Sequence, residues 1–553
     1  MNEYLAPLVD ELYRLGVRHV VCSPGSRSTA LALLFKYYGS FTTYMNIDER
    51  SAAFFALGIA KKTGEAVVLV CTSGSAIGHY MPAVMEAYYT GVPLLILSAD
   101  RPAKLQKVGA PQTIDQEKIL GSMVRYYEEL SKPDGADVYQ YPRTIAQKAY
   151  MNAMHGLTGP VHINVPLCDP LIPELEKKHF EMGRSKKPFR FLKGDVHVSS
   201  QLNGIEEWQN RRIVIVVGPN HRLEDMSPIT TLAERLYAPI LADPLSNMRR
   251  SDSPFIIDAY DVFLKSSTMI ERLQPDYIIQ FGQMSISKRL QQYIAFHREA
   301  TYIQVDATGL YRNSAATTTT YIEADIEEFC KAIDVQSYDD MYVREWIKAN
   351  WKGREQLERV REETSLFEGR CVQILEDVIS DEAQLVVANS MSIRNIDYFW
   401  KAGKSQACIY GNRGTNGIDG TISTAFGLAS TGTPTVLVTG DLSMFHDSNG
   451  LLLGKLYDIP LTIILFNNDG GGIFHCLPQK DVPYFDELFS TPHGIDFSGL
   501  QILYGLSYSR VTSYEEYQRL LEDAMATKKV HIIEVPTDKE TSATLYGKYT
   551  VIS

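Results

Sequence analysis

TVLVTGDLS (residues 435–443) and LTIILFNNDGG (461–471) decide the fold. Each opens on a near-continuous run of apolar and β-branched residues and closes on Gly, Asp or Asn. Runs of this kind, without polar alternation, predict strands buried on both faces, the mark of a parallel sheet. Between them SNGLLLGKLYD, ending at Pro460, predicts a helix over about Asn449 to Asp458. Asp441 and Asn468 stand 27 residues apart, close to the roughly 30 residues of one βαβ unit. Two parallel neighbours then bring both side chains to the carboxyl edge of one sheet, where open α/β folds bind ligands.

The same rhythm extends outward in both directions. HVVCSPGS, AVVLVCTSGSA, PLLILSADRP, VHINVPL, RIVIVVGPN, YIIQFGQ, TYIQVDATG, LVVANS and HIIEVPT repeat the strand pattern, with helical patterns such as DERSAAFFALGIAKKTG between them. Alternating strand and helix predicts α/β architecture with doubly wound, mainly parallel sheets. Residues 172–196 are charged, carry prolines and lack a period, so they read as a linker. The charged helical stretch 336–365 reads as a bridge. The expected domains are therefore 1–180, 190–335 and 345–553, the first and third alike in strand rhythm.

Composition narrows the function classes. The 553 residues are 45% hydrophobic and 22% charged, as in an ordinary globular protein. A formal charge of −12 lacks the bulk basic charge of nucleic-acid binders. No run approaches the about 18 apolar residues of a membrane span. The start, MNEYLAPLVDELYRLGV, reads as an amphipathic helix rather than a signal peptide. Seven scattered cysteines without C-x-x-C argue against disulfides and a structural zinc site, and fit a reducing, cytoplasmic setting.

The chemistry starts from Asp441 and Asn468. A carboxylate and an amide carbonyl are hard oxygen donors that suit Mg²⁺, which commonly completes its octahedron with substrate phosphates. Gly470, Gly471 and Gly472 let backbone groups approach such a ligand closely. The plainer reading, a helix-capping Asp and a glycine turn, suffices for a lone Gly-Asp, but less well when Asn-Asn and three glycines follow one βαβ unit later. Neither GxGxxG after a strand nor GxxxxGK[ST] competes for the site. In the N-terminal region, Asp48, Glu49 and Arg50 open a helix after strand TTYMNI, where acidic residues normally serve as cap and dipole partners.

Gly440-Asp441 with Asn467-Asn468 resembles the GD…NN signature of thiamine diphosphate (ThDP)-dependent enzymes. The resemblance implies ThDP held through Mg²⁺, or Mn²⁺ in its place, with Asp441, Asn468 and Gly470 on the metal. It implies Ile418, Leu442, Ser443, Gly471 and Ile473 as further cofactor contacts. Leu442 stands where many members have Gly. The family also needs a carboxyl group at the cofactor's aminopyrimidine, about 50 residues from the N-terminus, and Glu49 fits as catalytic and cofactor-binding residue.

SPGSRSTAL (23–31), DERSAAFFALG (48–58), CTSGSA (71–76), SADRP (98–102), GAPQTI (109–114), NSMSIR (389–394), NRGTNGIDGTISTAFG (412–427) and NNDGGGIF (467–474) are similar to one branch of that family. That branch comprises the 2-succinyl-5-enolpyruvyl-6-hydroxy-3-cyclohexene-1-carboxylate synthases of menaquinone biosynthesis. Asn46, Ser75 and Asp469 replace the residues common among relatives. The branch implies a transferase: 2-oxoglutarate is decarboxylated and its succinyl carbanion equivalent adds to isochorismate. It also implies a homodimer or homotetramer, each site assembled across two chains. Both substrates are dicarboxylates, and Arg matches a carboxylate with its planar fork. Arg27, Arg101, Arg394 and Arg413 follow strand ends, and Lys288 and Arg289 follow YIIQFGQ; Ser26, Gln112 and Ser390 join them as implied contacts. Any single Arg reads more readily as a solvated surface charge; four of them at strand ends in an acidic chain are harder to dismiss. Acetolactate synthase or a 2-oxoacid decarboxylase would share Asp441, Asn468 and Glu49 without needing the basic set.

Overall fold

In the computed structural model every strand pairing among the described residues is parallel. The structure describes residues 2–130, 132, 138–187, 189–190, 205–220 and 225–552. Among them three sheets of six strands form. The first contains β1 (His19–Cys22), β2 (Thr42–Met45), β3 (Val67–Cys71), β4 (Leu94–Asp100), β5 (Tyr126–Glu129) and β6 (Val161–Pro166). The second contains β7 (Ile213–Val217), β8 (Ile240–Ala242), β9 (Ile256–Ile257), β10 (Tyr277–Phe281), β11 (Thr301–Val305) and β12 (Thr320–Ile322). The third contains β13 (Gln384–Val387), β14 (Cys408–Gly411), β15 (Thr435–Gly440), β16 (Leu461–Asn467), β17 (Ser507–Arg510) and β18 (Val530–Pro536).

The first sheet runs β2-β1-β3-β4-β6-β5 and the third β14-β13-β15-β16-β18-β17, the same order shifted by twelve. Their shared rhythm in the sequence is thus a shared topology. The second sheet, β12-β11-β10-β7-β8-β9, has the other doubly wound order. The apolar runs lie where two-sided burial demands: β3, β4 and β7 are buried throughout. Of the strands absent from the apolar runs, β5 (YYEE) and β17 (SYSR) are short edge strands with polar residues, whereas β8 (ILA) and β9 (II) are apolar and buried but too short to form a run.

The chain divides into two compact units. One comprises Met1–Lys193 with Asn412–Thr433 and Phe445–Ile459; the other comprises Gly194–Gly411, Pro434–Met444 and Pro460–Ser553. In the first, the helix Glu49–Thr63 packs on the helix Thr421–Ala429 so closely that side chains are excluded. A Cβ at Gly58 would lie 2.1 Å from the Thr424 carbonyl, and one at Gly427 2.1 Å from the Phe55 carbonyl. In the second, buried arginines tie elements of the middle and third sheets. Arg249 pairs with Asp397 and donates to the Ala242 carbonyl at 2.9 Å; Arg354 Nε reaches Asp258 at 2.7 Å. Arg354 belongs to the helix Met341–Glu358, the bridge read at 336–365.

The linker reading of 172–196 needs correction over its described part; 188 and 191–196 lie outside the described residues. Lys177–Glu181 is a helix, Phe180 is buried in the first core, and Arg184 Nη2 reaches Asp10 at 2.6 Å. Charge without periodicity concealed a segment that docks through Phe180 and the Arg184–Asp10 pair, with Arg143 donating to the Met182 carbonyl at 3.0 Å.

Candidate active site

β15 and β16 pair in register from Val436↔Thr462 to Gly440↔Phe466. Asp441 therefore leaves β15 at the edge where Asn468 leaves β16. The Asp441 carboxylate gathers the loop: Oδ2 accepts from the backbone N–H of Asn468 and of Gly470, both at 3.0 Å, and Oδ1 from Leu442 N–H at 2.6 Å. Burial pushes its carboxyl above the usual carboxylate range, while the three N–H donors and His493 pull it back. Asn468 Oδ1 is buried and has no hydrogen-bond partner. An orphaned amide oxygen beside a buried carboxylate is the donor chemistry expected of a hard cation site, so these residues fit a diphosphate-bound metal. No cluster of three His, Cys, Asp or Glu competes among the described residues.

The glycines serve packing as well. Gly470 has φ +131°, and a Cβ there would meet the Ser490 carbonyl at 2.0 Å; Gly471 N–H donates to that carbonyl at 2.6 Å. Ile473 lies in the 3₁₀ turn Gly472–Cys476, with Leu442 half-buried and Ser443 buried on the helix Asp441–His446. Asp469, in place of Asn, accepts from His493 and Gly494 N–H at 2.9 and 2.7 Å. It thereby brings in a residue the motifs did not reveal. His493 Nδ1 accepts from Ile495 N–H at 3.0 Å, which leaves Nε2 as the protonated nitrogen, 3.5 Å from Asp441 Oδ2.

In the first unit Glu49 is half-buried at the first position of its helix. Its neighbours in the chain anchor the turn that carries it. Asp48 caps the helix through Ser51 N–H at 3.1 Å and accepts from Asn449 Nδ2 at 2.6 Å. Arg50 Nη2 donates to the His446 carbonyl at 2.6 Å, and Ser51 Oγ lies 2.8 Å from Ser423 Oγ. Asp447 accepts from Ser423 N–H and Oγ at 2.7 and 3.1 Å. Burial, with the Glu49 carboxylate among the contributors, pushes the Cys71 thiol and Tyr80 phenol up. The capping role thus belongs to Asp48. His446 is spent on Arg50.

The other implied contacts form two groups. In the first unit, Arg27 N–H donates to Thr72 Oγ1 at 3.3 Å, and Ser73 Oγ to the Gln112 carbonyl at 3.0 Å. This gathers the loops of Ser26, Arg27 and Gln112. Arg27 is buried, its Nη1 on the Leu167 carbonyl at 3.0 Å. Arg101, half-buried after β4, has a buried Nε without a partner. Arg413 and Ile418 lie in the loop before the helix Thr421–Ala429. In the second unit, Ser390 has φ +64° and its carbonyl accepts from Arg394 Nη1 at 2.6 Å. Lys288 and Arg289 are exposed at the start of the helix Lys288–Phe296. Lys265 adds an unforeseen cation. Burial pushes its ammonium down to about 8, Asp261 opposes the shift and Arg289 reinforces it. A single Lys before a polar helix carries no motif.

Three family models match. "Thiamine pyrophosphate enzyme, N-terminal TPP binding domain" covers 4–119, "Middle domain of thiamine pyrophosphate" 182–387, and "Thiamine pyrophosphate enzyme, C-terminal TPP binding domain" 390–535. Fold and matches together define a thiamine pyrophosphate (ThDP) enzyme. Among curated relatives, the 2-succinyl-5-enolpyruvyl-6-hydroxy-3-cyclohexene-1-carboxylate synthase of Lactococcus lactis subsp. cremoris (strain SK11) is 52% identical, with 99% of each chain covered. Its namesake from Desulfitobacterium hafniense (strain DSM 10664 / DCB-2) is 46% identical over 100% of both chains. The chain belongs to this synthase family. The crystal structure of benzoylformate decarboxylase from Polynucleobacter necessarius shares the fold, with a TM-score of 0.75 at 18% identity over 97% of this chain and 99% of that one.

Proposed function

We propose that this protein decarboxylates 2-oxoglutarate and joins the remaining four-carbon unit to isochorismate, giving 2-succinyl-5-enolpyruvyl-6-hydroxy-3-cyclohexene-1-carboxylate for menaquinone biosynthesis. The observation that carries the reading is full-length identity of 52% to a synthase of that name, joined to an Asp441–Asn468 edge of the expected donor chemistry. Bound ThDP supplies the electron sink that lets a 2-oxoacid lose CO₂. The chain's residues do the rest. Asp441, Asn468 and Gly470 hold Mg²⁺, or Mn²⁺ in its place, and through it the diphosphate. Leu442, Ser443, Gly471, Ile473 and Ile418 line the cofactor. Glu49 shares a proton with the pyrimidine ring. Ser26, Arg27, Arg101, Gln112, Lys288, Arg289, Ser390, Arg394 and Arg413 orient the substrate carboxylates and offset their charge.

The working protein is a cytoplasmic homo-oligomer with domains at 1–180, 190–335 and 345–553. No helix among the described residues is long and apolar enough to cross a membrane. The test is omission: isochorismate consumption requires 2-oxoglutarate, ThDP and Mg²⁺ together. Turnover of pyruvate with indifference to isochorismate would favour an acetolactate synthase or a decarboxylase instead.

A further inference from the structure

The loop bearing Arg413 and Ile418 rests on a buried ion pair to which none of the site residues belongs. Lys61, on the helix Glu49–Thr63, and Glu86, on the helix Met81–Thr90, are each 2% exposed at the side chain, with Nζ and Oε1 3.1 Å apart. Lys61 Nζ also donates to Asn412 Oδ1 at 2.7 Å, and Asn412 Nδ2 to Thr424 Oγ1 at 3.0 Å. Glu86 Oε2 accepts from Thr415 N–H at 2.8 Å and from Thr415 Oγ1 at 3.2 Å. Gly414 lies flat on the same residue: a Cβ there would be 2.7 Å from the Glu86 backbone carbonyl and 2.9 Å from Oε2. The residues on both sides of Arg413 are therefore gripped, Asn412 by the cation and Thr415 by the anion.

Two charges taken out of water are stable only when their remaining hydrogen-bonding positions are filled. Here groups of the loop fill them, so the ionic pair and the loop conformation depend on each other. Apolar residues of similar volume would pack this position equally well, yet they could not hold Asn412 and Thr415. We infer that Lys61 and Glu86 are positioning residues that fix the 412–415 loop and so aim Arg413 at the substrate carboxylate it binds. The inference rests on the proposed role of Arg413, and its test separates the two.

Lys61→Met/Glu86→Leu keeps volume and removes both grips. Lys61→Met/Glu86→Gln stays neutral and keeps an acceptor for Thr415, and it serves if the first variant does not fold. Hydrogen–deuterium exchange at residues 412–416, resolved from overlapping peptides and read without substrates or cofactor, is expected to quicken at least tenfold. With substrates, the KM that rises is expected to be that of the same substrate whose KM rises in Arg413→Ala, by at least tenfold, with kcat and ThDP affinity within threefold of wild type. Unchanged exchange and unchanged KM for both substrates would overturn the inference. So would a parallel fall in kcat and ThDP affinity with a rise in both KM values, which marks general loosening. Failure of the wild type to use isochorismate would instead count against the proposed function, and the exchange experiment would still report on the clamp.

Discussion

Glu49 and Asp441 are held in opposite ways, and their variants should fail differently. Asp48 takes the capping work, and Arg50 and Ser51 anchor the turn, so the Glu49 side chain has no structural duty that Gln could not fill. Glu49→Gln is expected to bind ThDP with modest loss while C2–H exchange of the bound cofactor slows about 10²–10⁴-fold, the scale of general acid–base contributions. Equal exchange rates in rapid-quench experiments would make Glu49 a mere helix-terminal carboxylate. Asp441 holds Asn468 and Gly470 N–H, and in the proposed role it also offers oxygens to a metal. Asp441→Asn keeps an acceptor but loses the charge; calorimetry in Mg²⁺ should show ThDP affinity lowered at least tenfold. Unchanged affinity would contradict the metal assignment.

Among elements, the contact between the helices Glu49–Thr63 and Thr421–Ala429 carries a pH signature. Burial raises the Asp447 carboxyl to about 7, opposed by its bonds from Ser423 and by Arg50, and reinforced by Asp48. A carboxyl raised on folding contributes stability below its unfolded value, and that contribution is lost as pH rises through about 7. Asn at this position still accepts from Ser423 N–H and does not titrate. Asp447→Asn should therefore gain on wild type by roughly 2–3 kcal/mol between pH 5 and 8, read from thermal or urea unfolding. A constant difference across that range would contradict the buried carboxyl. The sequence made the central strands legible, because Val/Ile runs such as VVLVC and IVIVV admit no other two-sided burial. It made Asp441 and Asn468 legible as a pair, because one βαβ unit separates them. It concealed β5 and β17, polar at the sheet edges, and His493, brought beside Asp441 by a long loop. The Lys61–Glu86 pair was hidden too, since each residue alone reads as a solvated helix charge.

For the whole molecule, Ile47 and Phe445 are 64% and 61% exposed in the unit that contains Glu49. In the proposed homo-oligomer a second chain would cover these side chains. Light scattering of the active protein should give at least twice the 62.1 kDa of one chain; an active monomer would contradict self-association. Three sheets were readable from strand rhythm, but the division into units was not. Segments 412–433 and 445–459 join the N-terminal part through helix packing that leaves no compositional trace. One catalytic cycle cleaves C1 from 2-oxoglutarate and bonds C2 to isochorismate. The direct measurement uses 2-oxoglutarate labelled with ¹³C at C1 or at C2, with isochorismate, ThDP and Mg²⁺. The C1 label is expected wholly in CO₂, and the C2 label in a product formed one-to-one with isochorismate consumed. C2 label released as succinic semialdehyde with isochorismate untouched would contradict this cycle.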